Sequence, residues 1–190
     1  SLVMSMRSIG YSFNNAIADI IDNSITAEAD LIKIQCLWNG EEPTIEIEDN
    51  GKGMDENELI EAMRPGTKSP LSTRSDDDLG RFGLGLKTAS FSQCKKLIVK
   101  TYQGNLCNQA TWDLDIVQKE NKWVLDIEDS LENNDIKEKG TIIRWEKIDT
   151  LSKKNKEDAE ENFNSIFLSF VSNLLIFKSS RHSFIRSIIF

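Results

Sequence analysis

Along residues 12–27 apolar positions return every three to four residues. Phe13, Ala16, Ile17, Ile20 and Ile21 form a stripe that Ser24 completes, and Asn15, Asp19, Asp22, Asn23 and Thr26 fill the opposite side. That period predicts a helix over Ser12–Ala27 with Ser12 as its N-cap. The period then drops to two. Ile32, Ile34, Cys36 and Trp38 alternate with Lys33, Gln35 and Leu37, and Ile45 and Ile47 alternate with Thr44, Glu46 and Glu48. Two strands follow from this, joined by a turn that Asn39-Gly40 opens and Pro43 closes. Asp55 is placed to cap a short helix running to Met63. Residues Arg64–Arg81 carry Pro65, Gly66, Pro70 and the run Asp76-Asp77-Asp78 and show neither period, which reads as a long polar loop. A helix is predicted over Leu84–Ser92. From Lys96 the alternation returns and predicts strands at Lys96–Tyr102, Leu106–Leu114, Trp123–Ile127 and Thr141–Glu146, with a hairpin turn at Gln103-Gly104-Asn105. Strands so close in sequence favour an antiparallel meander. A last helix is predicted over Lys156–Phe177, where Phe163, Ile166, Phe167, Phe170, Val171, Leu174 and Leu175 keep helical spacing. One domain over 1–178 is expected, and the basic tail 179–190 has no assigned place, leading on to further domains of a longer protein.

Composition narrows the partners more than the fold. The 190 residues are 39% hydrophobic, enough for one buried core, and the formal net charge is −8 with a pI near 4.8. Bulk charge thus gives no reason to expect direct binding to nucleic acid or to an anionic membrane. Nucleic acid is expected only through other domains, and no membrane. Cys36, Cys94 and Cys107 are odd in number and form no CxxC pair, which suggests reduced thiols in a cytoplasmic setting. With His182 the one histidine, a His-centred metal site or a Ser-His-Asp triad is disfavoured. Trp38, Trp112, Trp123 and Trp145 fall in strand patterns and read as core, and Cys94 reads as a small buried hydrophobe.

Four short segments carry candidate chemistry. Asp19 and Asn23 stand at i and i+4, one above the other on one helix face. A carboxylate there can orient a water and an amide oxygen can ligate a hard cation, although a solvated polar stripe would look the same. Asp49-Asn50-Gly51-Lys52-Gly53-Met54 puts a hydrogen-bond acceptor at a strand end, followed by glycines that allow close backbone approach to a flat ligand; an ordinary Asp-Asn-Gly turn is the alternative. In Gly80-Arg81-Phe82-Gly83-Leu84-Gly85-Leu86-Lys87 the glycines precede an apolar helical pattern. Free N–H groups at such a helix start suit phosphate oxygens and Lys87 can add a point charge, but the order is neither a Walker A loop nor a Rossmann fingerprint. Gly140-Thr141 opens the last strand, where a threonine hydroxyl can support the Asp49 carboxylate.

Taken in order, Asp-x-x-Asp-Asn-Ser, Asp-x-Gly-x-Gly, a long loop, Gly-x-x-Gly-x-Gly-x-Lys and Gly-Thr resemble the GHKL ATPases, the superfamily of DNA gyrase, the ninety-kilodalton heat-shock chaperone, histidine kinases, MutL and the MORC proteins. The resemblance spans about Ser12–Trp145 and is closer to the chaperone- and MORC-like branch. It implies the Bergerat fold, an α/β two-layer sandwich with a mixed, mostly antiparallel sheet and helices on one face. It implies ATP and Mg²⁺ as cofactors. Asn23 would ligate the metal, Asp19 would activate the hydrolytic water and Asp49 would contact the adenine amino group. Gly51, Gly53, Met54 and Thr141 would complete the base pocket, with Gly53 letting the base pack closely. Gly80, Phe82, Gly83, Leu84, Gly85, Leu86 and Lys87 would hold the phosphates, under a lid over Arg64–Leu79 whose Lys68 can touch the γ-phosphate. The sequence departs from the family at Asp19, where Glu is commoner, and at Thr26-Ala27, where Asp-Ala is usual.

Three functions are compatible with this constellation. The first is slow Mg²⁺-dependent ATP hydrolysis that drives conformational change or homodimerisation of a larger protein. The second is an ATP-gated binding module with little hydrolysis, which the shorter Asp19 favours. The third, a histidine-kinase catalytic domain, is disfavoured because no phospho-acceptor helix pair precedes it.

Overall fold

The structure is a computed structural model, and it describes residues 11–38, 42–64, 85–132 and 138–149 together with residues 7, 165 and 187–189. Helix α1 (Phe13–Thr26) starts where its cap directs: Ser12 is extended and its hydroxyl accepts the Asn15 N–H. Strands β1 (Leu31–Trp38) and β2 (Pro43–Asp49) pair antiparallel, with Ile34 opposite Ile47 and Ile32 opposite Asp49. Helix α2 (Glu56–Met63) opens on a full capping box between Asp55 and Glu58. Helix α3 (Gly85–Gln93) runs directly into β3 (Cys94–Gln103), which turns through Gly104 into β4 (Leu106–Asp113). Helix α4 (Leu114–Glu120), β5 (Asp126–Glu132), β6 (Lys139–Ile148) and the short β7 (Ser187–Ile189) follow.

These strands form one sheet in the order β5-β4-β3-β6-β2-β1-β7. Every neighbouring pair is antiparallel except β1 with β7, which is parallel. Pairing brings alternate residues of distant strands into rungs on one face. One rung reads Cys36, Ile45, Trp145, Leu97, Trp112, and the next reads Ile34, Ile47, Ile143, Val99, Ala110. Ala16, Ile17, Ile20 and Ile21 of α1 and Ala89 and Phe91 of α3 join the same buried core, so the helices lie on this face. The result is the two-layer α/β sandwich expected from the resemblance. The third rung breaks the apolar pattern: Ile32, Asp49, Thr141, Thr101 and Asn108 are all buried, and four of the five are polar. The opposite face is held by charge, with Arg144 donating to Glu46 and Lys96 to Glu146.

Four expectations need correction. The late strands are not a simple meander, because β6 leaves β5 and inserts between β2 and β3. A helix missed by the period-two reading, α4, occupies Leu114–Glu120 between an Asp113 N-cap and a left-handed Asn121. The strand predicted from Trp123 begins only at Asp126. Trp123 is 39% exposed and not core; its ring meets the buried Trp112 edge-on at 5.1 Å. Trp112, Trp145 and Cys94 are buried as expected. The tail, unplaced in the sequence, contributes β7. The helix expected over 156–177 lies outside the described residues.

Candidate functional site

The polar rung sits where α1, the end of β2 and the start of α3 converge on a cavity of about 280 Å³. Asn23, Ser24 and Ala27 come from α1 and its C-cap, Asp49, Gly53 and Met54 from the end of β2 and the loop beyond it. Gly85 and Leu86 open α3, and Val99, Thr141 and Ile143 form the sheet floor. The walls are mostly apolar with a few convergent polar groups, as expected of a small-molecule site.

Asp49 is the main polar anchor of the floor. It is 8% exposed; its Oδ2 accepts the Ser24 hydroxyl at 2.9 Å and its Oδ1 accepts the Gly51 N–H at 2.8 Å. The main-chain N–H of Thr141 donates to it as well. Burial pushes the carboxyl above its ordinary value, and those three donors pull it partly back. The hydroxyl that supports Asp49 is therefore Ser24's. Thr141 serves through its backbone, and its own hydroxyl lies 3.5 Å from that of Thr101. Thr101 in turn accepts the Met54 N–H at 2.8 Å, which fixes the loop beneath the cavity. Ser24 and Thr101 were not singled out from the sequence. The signal for Ser24 was its place on the apolar stripe of α1, where a small polar residue among isoleucines marks a buried hydrogen bond.

The glycines explain how the backbone crosses here. A Cβ at Gly53, whose φ is +70°, would lie 2.0 Å from the Tyr102 carbonyl oxygen, and one at Gly51 would lie 2.6 Å from that of Ala27. Their close approaches are thus to protein backbone. Asn50 locks the same loop: its Oδ1 accepts the N–H groups of Asp30 and Leu31, and its Nδ2 donates to Asp30. Among the described residues, a Cβ at Gly85 would meet nothing within 4 Å.

Asn23 lines the cavity and is half-buried. Among the described residues no cluster of three or more His, Cys, Asp or Glu is placed to hold a metal. The donor fitted to a hard cation here is the Asn23 amide oxygen, a site that phosphate oxygens and water would have to complete. Asp19 lies one turn before Asn23, does not line the cavity, and its Oδ2 accepts the Tyr11 hydroxyl at 2.8 Å. Lys87 is 1% exposed, and its ammonium donates to the Ala62 carbonyl at 2.9 Å and the Arg64 carbonyl at 2.6 Å at the C-terminal end of α2. Trp112 Nε1 donates to the Met63 carbonyl beside them. Lys68, Gly80, Phe82, Gly83 and Leu84, and all of the expected lid beyond Arg64, lie outside the described residues. Among the described residues no helix is long and apolar enough to cross a membrane.

A family model described as histidine kinase-, DNA gyrase B-, and HSP90-like ATPase matches residues 11–142, which contain every cavity-lining residue but Ile143. Similar curated proteins include the chaperone protein HtpG of Helicobacter pylori (strain ATCC 700392 / 26695), 35% identical over 89 residues, which are 42% of this chain and 14% of HtpG. ATPase morc-1 of Caenorhabditis elegans is 32% identical over 87 residues, 46% of this chain and 10% of that protein. The DNA mismatch repair protein MutL of Thermosipho melanesiensis is 29% identical over 97 residues, 50% of this chain and 17% of MutL. The chain spans only these small shares of the curated relatives it matches.

Proposed function

The chain belongs to the histidine kinase-, DNA gyrase B- and HSP90-like ATPase family, and from that premise we propose that it binds ATP with Mg²⁺ in the cavity above Asp49 and hydrolyses it slowly to ADP and phosphate. The hydrolysis drives a conformational change or homodimerisation in a larger protein. The observation that carries this reading is the buried Asp49 carboxylate, fixed by Ser24, Gly51 and Thr141 in the floor of a mostly apolar cavity. A carboxylate held this way accepts a hydrogen bond from the exocyclic amine of adenine, and Val99, Ile143 and Met54 give the base apolar contact. Gly85 and Leu86 at the start of α3 would present N–H groups to the phosphates. Lys87 supplies positive charge close by and ties α3 to the end of α2.

Asn23 would hold Mg²⁺, which would neutralise phosphate charge when bound. Asp19 takes a proton from the attacking water as the water oxygen bonds to the γ-phosphorus. The bridging P–O bond breaks, ADP leaves with its electron pair, and the proton passes on to solvent. A cytoplasmic compartment goes with this reading, in keeping with three cysteines, an odd number with no CxxC pair.

A second reading, the ATP-gated binding module, is favoured by Asp19, whose carboxylate is engaged by Tyr11 and stands outside the cavity lining. Calorimetry with ATP and Mg²⁺, followed by phosphate release from the same chain, tests both. Binding that Asp49→Asn weakens, with release that Asp19→Asn slows, supports the ATPase. Binding without release leaves the module. Unchanged ATP affinity in Asp49→Asn would sink the site assignment.

A further inference from the structure

Tyr11 precedes α1 and stands outside its hydrogen-bonded turns, yet its side chain lies back along the helix and reaches a residue eight positions on. Its hydroxyl donates to Asp19 Oδ2 at 2.8 Å. The ring of Tyr11 packs on the edge of the buried core, and its main-chain carbonyl accepts the Gln93 side-chain amide at 3.0 Å. Gln93 is 2% exposed and also donates to Ser92 Oγ, whose hydroxyl donates to the Ala89 carbonyl at 2.6 Å. The phenol is thus anchored through its own backbone to the last turn of α3. The helix that opens on the cavity at Gly85 ends at the group that grips Tyr11.

Asp19 reaches one methylene less far than the glutamate commoner at this place, and a short side chain has less freedom to find a water by itself. A hydrogen bond to one carboxylate oxygen restricts rotation of the carboxyl plane and leaves Oδ1 as the oxygen to accept from a water. The bond to Asp19, with burial adding to it, pushes the Tyr11 phenol above its ordinary value, so the phenol keeps its proton and stays the donor. We propose that Tyr11 is a positioning residue for hydrolysis, orienting the Asp19 carboxylate from outside the helix that carries it. The proposal rests on the reading of Asp19 as the base.

The test uses the full chain with Tyr11→Phe, Asp19→Asn and the double variant, measuring ATP affinity by calorimetry and turnover by phosphate release at saturating ATP and Mg²⁺. Tyr11→Phe keeps the ring and removes only the hydroxyl. It is expected to lower turnover roughly 10- to 100-fold with affinity within about twofold of wild type, the range that small misplacements of a catalytic group cover. In the Asp19→Asn background it is expected to cost nothing further, because the group it positions is gone. A melting curve on each variant separates this from loss of fold, and a structural role would lower affinity and melting temperature together.

Asp19→Asn with wild-type turnover, or a wild-type chain that binds ATP and releases no phosphate, would overturn the base assignment and the proposal with it. Asp19→Asn slow and Tyr11→Phe at the wild-type rate would overturn the positioning role alone. So would an equal loss from Tyr11→Phe in both backgrounds.

Discussion

At Asp49 one carboxylate is asked to do two opposed things. In the proposed role of acceptor for the adenine amine it works best ionised, and it is buried where ionisation costs most. Because its value is raised in the folded chain above the ordinary 3.8, the folded state takes up a proton at higher pH than the unfolded state does. The stability from this group is therefore fullest at low pH and declines as pH rises through the window just above that ordinary value. Ligand recognition runs the other way, since the ionised acceptor is lost on acidification through the same window. Titrating adenosine, which brings no phosphate charge, should show affinity falling as pH drops in wild type. Asp49→Asn should flatten that dependence. It should also weaken binding about 10- to 100-fold, the equivalent of roughly 1–3 kcal/mol for a buried hydrogen bond, without lowering the melting temperature of the ligand-free chain at pH 7. A lower melting temperature with unchanged adenosine affinity would make Asp49 a structural residue only. Gly53 tests the backbone in the same loop. Gly53→Ala would force a Cβ to 2.0 Å from the Tyr102 carbonyl at a φ of +70°, and a loss of at least about 1–3 kcal/mol in denaturant unfolding is expected.

Among the elements, α2 shows how a short helix is held. Its start was legible, because Asp55 and Glu58 stand at capping-box spacing. Its end at Met63 was legible as well, but not what holds it, because the groups that satisfy its last carbonyls come from Lys87 on α3 and Trp112 on β4. Lys87→Met, which keeps the length of the side chain and removes the donor, is expected to cost roughly 1–3 kcal/mol by leaving those carbonyls without it. The loss should appear first as faster amide exchange in α2, with the β3–β6 pair unaffected. Uniform exchange throughout would place the lysine's contribution elsewhere. Helix α4 was missed for a related reason. Leu114 and Val117 are its buried residues, a single i, i+3 pair that is too short to set a helical period. The decisive signals were the Asp113 cap and the left-handed Asn121, which are turn chemistry and carry no period.

For the whole molecule, Arg7 acts as a clasp. It donates to the carbonyls of Phe91 and Cys94 at the α3–β3 junction and pairs through both oxygens with Asp149 beyond β6. Arg7→Lys keeps the charge and loses the planar fork, so a loss of roughly 1–2 kcal/mol in global stability is expected, with adenine affinity unchanged because none of these groups lines the cavity. Wild-type unfolding in that variant would make the clasp ornamental. If ATP and Mg²⁺ occupy the cavity, they should raise the unfolding free energy by about 2.7 kcal/mol at a hundredfold excess over the dissociation constant. For a chain of this size that is a melting shift of roughly 5–10 °C. A chain whose melting does not move with saturating nucleotide does not bind it there.

The sequence by itself determined the local elements and the side each one buries, because helical and strand periods are properties of neighbouring residues. The stripe of α1, the alternation of β1 and β2 and the Ser12 and Asp55 caps needed nothing else. It also determined the order of the motifs, and so the family, because each motif is a few residues long. Tertiary structure alone decided that β6 lies between β2 and β3, since pairing β2 with β6 joins residues about a hundred positions apart, which no local period records. It decided that Asp49 takes its hydroxyl from Ser24, that Lys87 caps α2 and that Tyr11 grips Asp19. Each of those side chains has more than one partner within reach of its chemistry, and only the packing of two layers selects which one it meets.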